Sequence, residues 1–186
     1  NLAPSALEIL TSVKKCDPVI RDNLYLTIGH SLFTDDVEAI HDGKWLGDGS
    51  TFFSLDQVVP KKIDYYGYAW KEPQTIGLLG FHTGAMEEIG GWFTSLNVEY
   101  RNDSGKWEPV KNMVVAPTFP AGNEPYDKPH FVEYLLAFEP VSTTAIRLIG
   151  DASVVEHWSR QDPISFTSIA ELSVHGALPG YEGLRR

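Results

Sequence analysis

Fourteen residues, Asn97–Val110 (NVEYRNDSGKWEPV), constrain the fold more than any other stretch, because they hold a strand, a tight turn and a returning strand. Leu96, Val98 and Tyr100 alternate with Ser95, Asn97, Glu99 and Arg101, the period of a strand with one apolar and one wet face. Asn102-Asp103-Ser104-Gly105 supplies the turn, with Gly105 free to take a positive φ, and Lys106–Val110 starts back with Trp107 planted after it. A hairpin of this kind needs partners to cover its apolar face. The rest of the chain therefore has to supply more sheet or a packed layer.

It supplies sheet. Short candidate strands recur at Leu24–Ile28, Thr51–Val58, Ile63–Trp70, Thr75–His82, Thr94–Arg101, Lys106–Val110, Phe131–Phe138, Ala145–Gly150 and Ser168–Gly176, separated by Gly- and Pro-containing loops. This punctuation predicts an all-β, antiparallel β-sandwich or barrel rather than a parallel α/β fold. Phe131–Phe138 is nearly all apolar and reads as a central strand buried on both sides. One short helix is expected over Ser5–Lys15, with Ser5 as N-cap and Glu8 completing a capping box. The loop Ala116–Pro129 holds four prolines in fourteen residues and is expected to be extended, stiff and exposed. The organisation read from this is an N-terminal extension over 1–23 packing on the domain, a sandwich over 24–176 and a tail over 177–186.

At 186 residues, 42% of them hydrophobic, one large sandwich is affordable without disulfides, and the single Cys16 offers none. No apolar run approaches the roughly 18 residues of a membrane helix. The net charge of −10 argues against nucleic acid and against an anionic membrane, both of which need a basic footprint. The six histidines have neither i,i+4 nor Cys-paired spacing, so no zinc signature is present. A chain opening on Asn1 reads as a module excised or processed from a larger parent.

The hairpin, with Ala145–Gly150 (AIRLIG) and the closing Phe166–Gly176 (FTSIAELSVHG), resembles the discoidin or coagulation-factor type C family, galactose-binding-like jelly rolls that include the family 32 carbohydrate-binding modules. The resemblance covers roughly Leu24–Gly176. It implies a jelly-roll β-sandwich that binds glycans or polysaccharides, is secreted or displayed at the cell surface, and sits within a multi-domain parent. It also implies one structural Ca2+ between an early loop and the last strand. In Glu38–Ser54 (EAIHDGKWLGDGSTFFS) the matching positions are the Ala39 carbonyl, the Asp42 carboxylate and the Thr51 carbonyl and hydroxyl. The last strand contributes the Ala170 carbonyl and the Glu171 carboxylate. Asp48, in an insertion Trp45-Leu46-Gly47-Asp48 that the family pattern lacks, offers a second acid. All are hard oxygen donors, as calcium requires.

By the same resemblance the ligand lies on loops at one end of the sandwich, here Phe81–Phe93 and Asp151–Phe166. The first supplies His82, Glu87, Glu88 and Trp92 around Gly84, Gly90 and Gly91, and the second supplies Glu156, His157, Trp158 and Arg160, with Tyr126 and Trp45 extending the surface. Sugar sites pair aromatic platforms with a few hydrogen-bonding side chains. With eight Tyr and five Trp, some rings are expected at the surface, Trp158 foremost. Trp92, between a glycine pair and Phe93, reads equally as a ligand ring or as a plug closing the sandwich, whereas Trp70 and Trp107 read as packing residues. Relatives commonly carry an Arg and an Asn soon after the strand that here ends at His82, and this chain lacks that pair.

No catalytic motif accompanies these features. Glu87 and Glu88 are adjacent and, in extended chain, point to opposite faces, so they do not flank one glycosidic bond. There is no Gly-x-Ser-x-Gly elbow, phosphate loop or His-Glu-x-x-His pair. The reading is a non-catalytic carbohydrate-binding module that tethers a glycan-active protein to its polysaccharide. The alternatives are a protein-interaction or adhesion domain and an accessory domain of an enzyme's active site.

Overall fold

The structure is a computed structural model and describes residues 1–12, 33–34, 36–44, 51–54, 63–86, 90–122, 130–156 and 163–177. Its strands are β1 (Glu8–Thr11), β2 (Phe33–Thr34), β3 (Thr51–Phe53), β4 (Ile63–Thr83), β5 (Asn97–Arg101), β6 (Trp107–Pro109), β7 (Val114–Ala116), β8 (Glu133–Asp151), β9 (Ser153–Val155), β10 (Ile164–Phe166) and β11 (Ser168–His175), with 3-10 turns at Ala3–Ser5 and Val37–His41.

The framework is one long ribbon. β4 and β8 pair antiparallel from Ile63 opposite Asp151 to His82 opposite Glu133, and the register breaks between Ala69 and Gln74 and again between Ile76 and Leu78. Pro73 and Pro140 both fall at these breaks, where a residue without an N–H cannot hold a ladder. The ribbon folds over there. Tyr68 and Phe81 are thirteen residues apart, about 43 Å along a straight strand. Yet the Tyr68 hydroxyl donates to the carbonyl of Leu172, the residue paired with Phe81, at 2.7 Å. Each half of the ribbon thus belongs to a different layer. One layer adds β1 beside Tyr66–Ala69, β5 beside the second half of β8, and β6 beyond β5. The other adds β11, β3 and β2 on one side and β7 on the other. This is the expected antiparallel sandwich.

Between the layers lies one core containing Tyr66, Tyr68, Phe81, Phe93, Leu136, Ile146, Leu148 and Leu172. Phe93 is packed edge-on by Tyr66 at 5.9 Å and by Phe81 at 5.8 Å, so rings from both layers meet on it. The buried tyrosines each keep a hydrogen bond. Tyr66 reaches Thr167 Oγ1 at 2.7 Å, and burial pushes both phenol pKa values well up. Asp64, fully enclosed, accepts from the hydroxyls of Ser12, Ser54 and Thr167 and ties β1, the end of β3 and the start of β11 together.

Three expectations change. The helix expected over Ser5–Lys15 is replaced, within the described residues, by the 3-10 turn and strand β1. Glu8–Thr11 gains a ladder along Tyr66–Ala69, and Ser5 Oγ donates to Leu2 O instead of capping a helix. The separate strands expected at Ile63–Trp70 and Thr75–His82, and at Phe131–Phe138 and Ala145–Gly150, run on as β4 and β8. Phe131–Phe138 is not buried on both sides, because Leu135 is 41% exposed on the outer face. The strand expected at Leu24–Ile28 and the end of Thr51–Val58 lie outside the described residues. No helix among the described residues is long and apolar enough to cross a membrane.

Candidate functional site

Two adjoining regions carry the candidate chemistry. The first is a corner where the Val37–His41 turn and the Asp42-Gly43 pair meet β11. Asp36 caps the turn by accepting from the Glu38 N–H, and Ala39 and Ile40 are buried beneath it. The Ile40 carbonyl accepts from the Tyr68 hydroxyl. Gly43, with φ of +78°, then turns its N–H onto Glu171 Oε2 at 3.1 Å, joining segments 128 residues apart. The early loop and the last strand therefore meet through this hydrogen bond.

Glu171 is only 3% exposed. Burial, reinforced by the nearby Asp42 carboxylate, raises its pKa to about 7, against the opposing pull of the Gly43 N–H and His41. A buried carboxylate in this position favours either a proton or a cation. Asp42 is exposed and accepts from its own loop at Lys44 N, 2.8 Å. Ala39 and Ala170 stand beside these two acids on the same turn and strand. Thr51 is buried, but its hydroxyl accepts from Ala85 N at 3.4 Å, toward the other region. Asp48 lies outside the described residues, and among those residues no three His, Cys, Asp or Glu side chains gather into a metal group. Carboxylate and carbonyl oxygens are hard donors of the kind that calcium, magnesium and manganese all take.

The second region is the loop end after β4. The chain passes Gly84, where an added Cβ would collide with the Thr51 side chain and come within 2.7 Å of Ser168 Oγ. It returns through Gly90 and Gly91, whose φ values of +137° and +112° suit glycine alone. Gly91 is fixed on both sides, donating to Phe166 O and accepting from Ser168 N. This pair is a fixed bend that tucks the next two residues inward. Trp92 and Phe93 are each 1% exposed. Trp92 is consequently the plug and not a surface ring, which corrects its placement among the solvent-facing ligand residues. It helps line a small pocket with Phe81, Thr83, Met86, Phe119, Pro120, Tyr134 and Ser168, and half-buried Phe119 and Pro120 bring in the start of the Pro-rich loop.

His82 also lies inward of where a loop residue would be. It is 6% exposed on β4, in register with Glu171 on one side and Glu133 on the other, with Nε2 3.7 Å from Glu133 Oε1. Burial lowers its pKa despite that carboxylate. Glu87, Glu88, Tyr126, His157, Trp158, Arg160 and Trp45 lie outside the described residues. Trp70 and Trp107 pack as expected. Trp70 Nε1 donates to Leu2 O at 3.3 Å, and the Arg147 guanidinium sits 4.2 Å from the Trp107 ring and 4.8 Å from Tyr65. His41, His130 and His175 serve as local hydrogen-bonders, to Glu38, Met86 N and Ser173 respectively. The sequence reading missed Met86 and Phe119. The usable signal was Gly90-Gly91-Trp92-Phe93, a bend followed by two aromatics, which calls for an apolar surround.

With the geometry in place, comparison with solved structures identifies the class of fold. It is the jelly-roll sandwich of the carbohydrate-binding modules, family 32 among them. The chain is similar to a structure from the β-galactosidase of Streptococcus pneumoniae, with a TM-score of 0.61 and 13% identity over 94% of this chain and 99% of that one. It is similar to the family 32 module CBM32-3 of a family 31 glycoside hydrolase from Clostridium perfringens, at 0.56 and 15%, over 94% and 96%. Chitosan-binding module 1 of a chitosanase/glucanase from Paenibacillus sp. IK-5 aligns at 0.55 and 16%, over 95% and 98%. No protein-family model matches the chain, nor does any curated protein.

Proposed function

We propose that this chain is a non-catalytic carbohydrate-binding module, which holds a larger extracellular, glycan-active protein on its polysaccharide through the loop end of the sandwich. One observation carries the reading. At the loop end a rigid glycine bend and the Pro-rich loop enclose an aromatic-lined pocket, on a fold whose solved counterparts include a module named for binding chitosan. Aromatic surfaces with few charges suit the C–H faces of a neutral saccharide, and a net charge of −10 suits neutral or cationic glycans over acidic ones. The hydrogen-bonding groups and rings proposed for it on the family resemblance are Glu87, Glu88, Tyr126, His157, Trp158 and Arg160, which lie outside the described residues; His82, expected among them, is buried.

We also propose a structural calcium ion at the adjoining corner, held by Asp42 and Glu171 with the carbonyls of Ala39, Thr51 and Ala170, and with Asp48 as a further acid. Such an ion would neutralise the buried Glu171 and pin the early loop to the last strand. It has no part in contacting the sugar.

A glycan-array screen of the chain, run with calcium and again with chelator, tests both points. Binding to glycans that free monosaccharide competes away is expected, weakened by chelator only as far as the fold loosens. Failure to bind any glycan, with binding to a protein surface instead, would turn the reading toward an adhesion module. Loss of glycan binding in Trp158→Ala with the fold retained would place that ring in the site, and unaltered binding would remove it.

A further inference from the structure

Asn102-Asp103-Ser104 is the one place in the 186 residues where an asparagine stands two before a serine or threonine with no proline between them. That spacing is the acceptor pattern for N-linked glycosylation, which is used on surface loops of exported proteins. The hairpin turn provides the exposure, since Asp103, Ser104, Gly105 and Lys106 are all at the surface. It also prepares the amide. Asn102 Oδ1 accepts from the Ser104 hydroxyl at 2.8 Å, from Ser104 N at 3.0 Å and from Lys106 N at 2.9 Å. Donors gathered on the carbonyl oxygen draw charge from the amide nitrogen and make its hydrogens easier to lose. These contacts span two to four residues, so they need no distant partner and can form before the sandwich closes. Of the two hydrogens on Nδ2, one suffices for the bond to Glu108 Oε1 at 2.6 Å, and a sugar can replace the other.

The tip of the hairpin stands away from the loop end. Thr143 Oγ1 donates to the carbonyl of Arg101 at 2.7 Å, where the β4–β8 ribbon folds over. The opposite end of β5 is reached from Thr94, whose N–H donates to Asp151 O close to the glycine bend. We propose that Asn102 carries an N-linked oligosaccharide, donated from a polyprenyl diphosphate. Asn102 Nδ2 attacks the anomeric carbon, and the new C–N bond forms as the C–O bond to the diphosphate breaks. The lipid diphosphate leaves, and the Nδ2 proton passes to a base of the transferase. The proposal rests on the extracellular part of the reading above and not on the saccharide site.

The test is secretion of the whole chain from a eukaryotic host that holds the transferase, followed by intact-mass and peptide mass spectrometry. The secreted chain is expected to be heavier by one glycan, which peptide N-glycosidase removes, converting that one asparagine to aspartate. Asn102→Gln and Ser104→Ala are expected to emerge at the bare polypeptide mass, and Ser104→Thr to keep the glycan. Ser104→Ala spares the turn, because the bond from Lys106 N to Asn102 Oδ1 remains. A wild-type chain secreted without a glycan, or a glycan that survives in Ser104→Ala, would overturn the proposal. On the glycan array the modified chain and Asn102→Gln are expected to bind alike, as the tip is remote from the loop end. An array blank for both, with the glycan found on Asn102, would remove the saccharide reading and leave the modification standing.

Discussion

Glu99 and Glu171 are both carboxylates on strands of this sandwich, and they are finished in different ways. Glu99, on β5, receives a fork from the cross-strand Arg147, with Nε at 3.0 Å and Nη2 at 2.6 Å, and the same guanidinium lies against Tyr65 and Trp107. Every partner comes from the chain, and both side chains keep some water. Glu171 is buried, receives one backbone N–H from Gly43 among the described residues, and has the Asp42 carboxylate nearby. Folding completes the first contact. It leaves the second with negative charge that a proton or an external cation must neutralise. The contrast separates scaffold from site within one fold: where the chain supplies its own counter-charge, nothing further is needed.

The contrast breaks most visibly with calcium. At pH 8 the ion is expected to stabilise the chain by about 2.7 kcal/mol at a hundredfold excess over its dissociation constant, read as a rise in Tm that chelator reverses. Glu171→Ala should abolish the response. A wild-type melting curve indifferent to calcium and chelator alike would mean that the corner is complete without an ion.

The next effect appears with metal removed. Glu171 has a folded pKa of about 7 against an ordinary value of 4.5. Its contribution to stability is therefore fully present below about pH 4.5 and is lost as pH rises through about 7. In chelator, Glu171→Gln is expected to melt several degrees above the parent at pH 8 and level with it at pH 4.5. A difference that did not depend on pH would show that the variant acts through packing and not through charge.

How far these regions could be read from sequence follows the range of the interactions. The hairpin was legible because its causes are local: Asn102 accepts from Ser104 N and Lys106 N, and Trp107 and Pro109 alternate outward on the return strand. The meeting of Asp42-Gly43 with Glu171 came only from family resemblance, since nothing local links residues 128 positions apart. β1 was misread as helix because a four-residue edge strand is decided by its partner at Tyr66–Ala69 and not by its own periodicity. Trp92 reads in sequence as either plug or platform for a similar reason. The positive φ angles of Gly90 and Gly91 set its direction, and a glycine pair in sequence signals freedom of backbone without saying how it is used.

On the outer face, Arg147→Ala removes the fork on Glu99 and the cover over two aromatic rings together. A loss of about 1–2 kcal/mol is expected, measured as a lower urea midpoint with unchanged slope. Arg147→Lys should recover only part of it, because an ammonium cannot fork or stack as a guanidinium does.

The smallest change is the sharpest control. Glu99→Gln keeps an oxygen that can accept from Arg147 and leaves the guanidinium against Tyr65 and Trp107, so only the charge is lost. With both side chains in partial contact with water, that charge is worth about 0.5 kcal/mol at low salt and should fade near 1 M salt, where the screening length is about 3 Å. Urea midpoints for wild type and Glu99→Gln at low and high salt measure it. A loss well above 1 kcal/mol, or one that salt leaves untouched, would mean that Glu99 is desolvated as Glu171 is. The two carboxylates would then differ in their partners and not in their solvent.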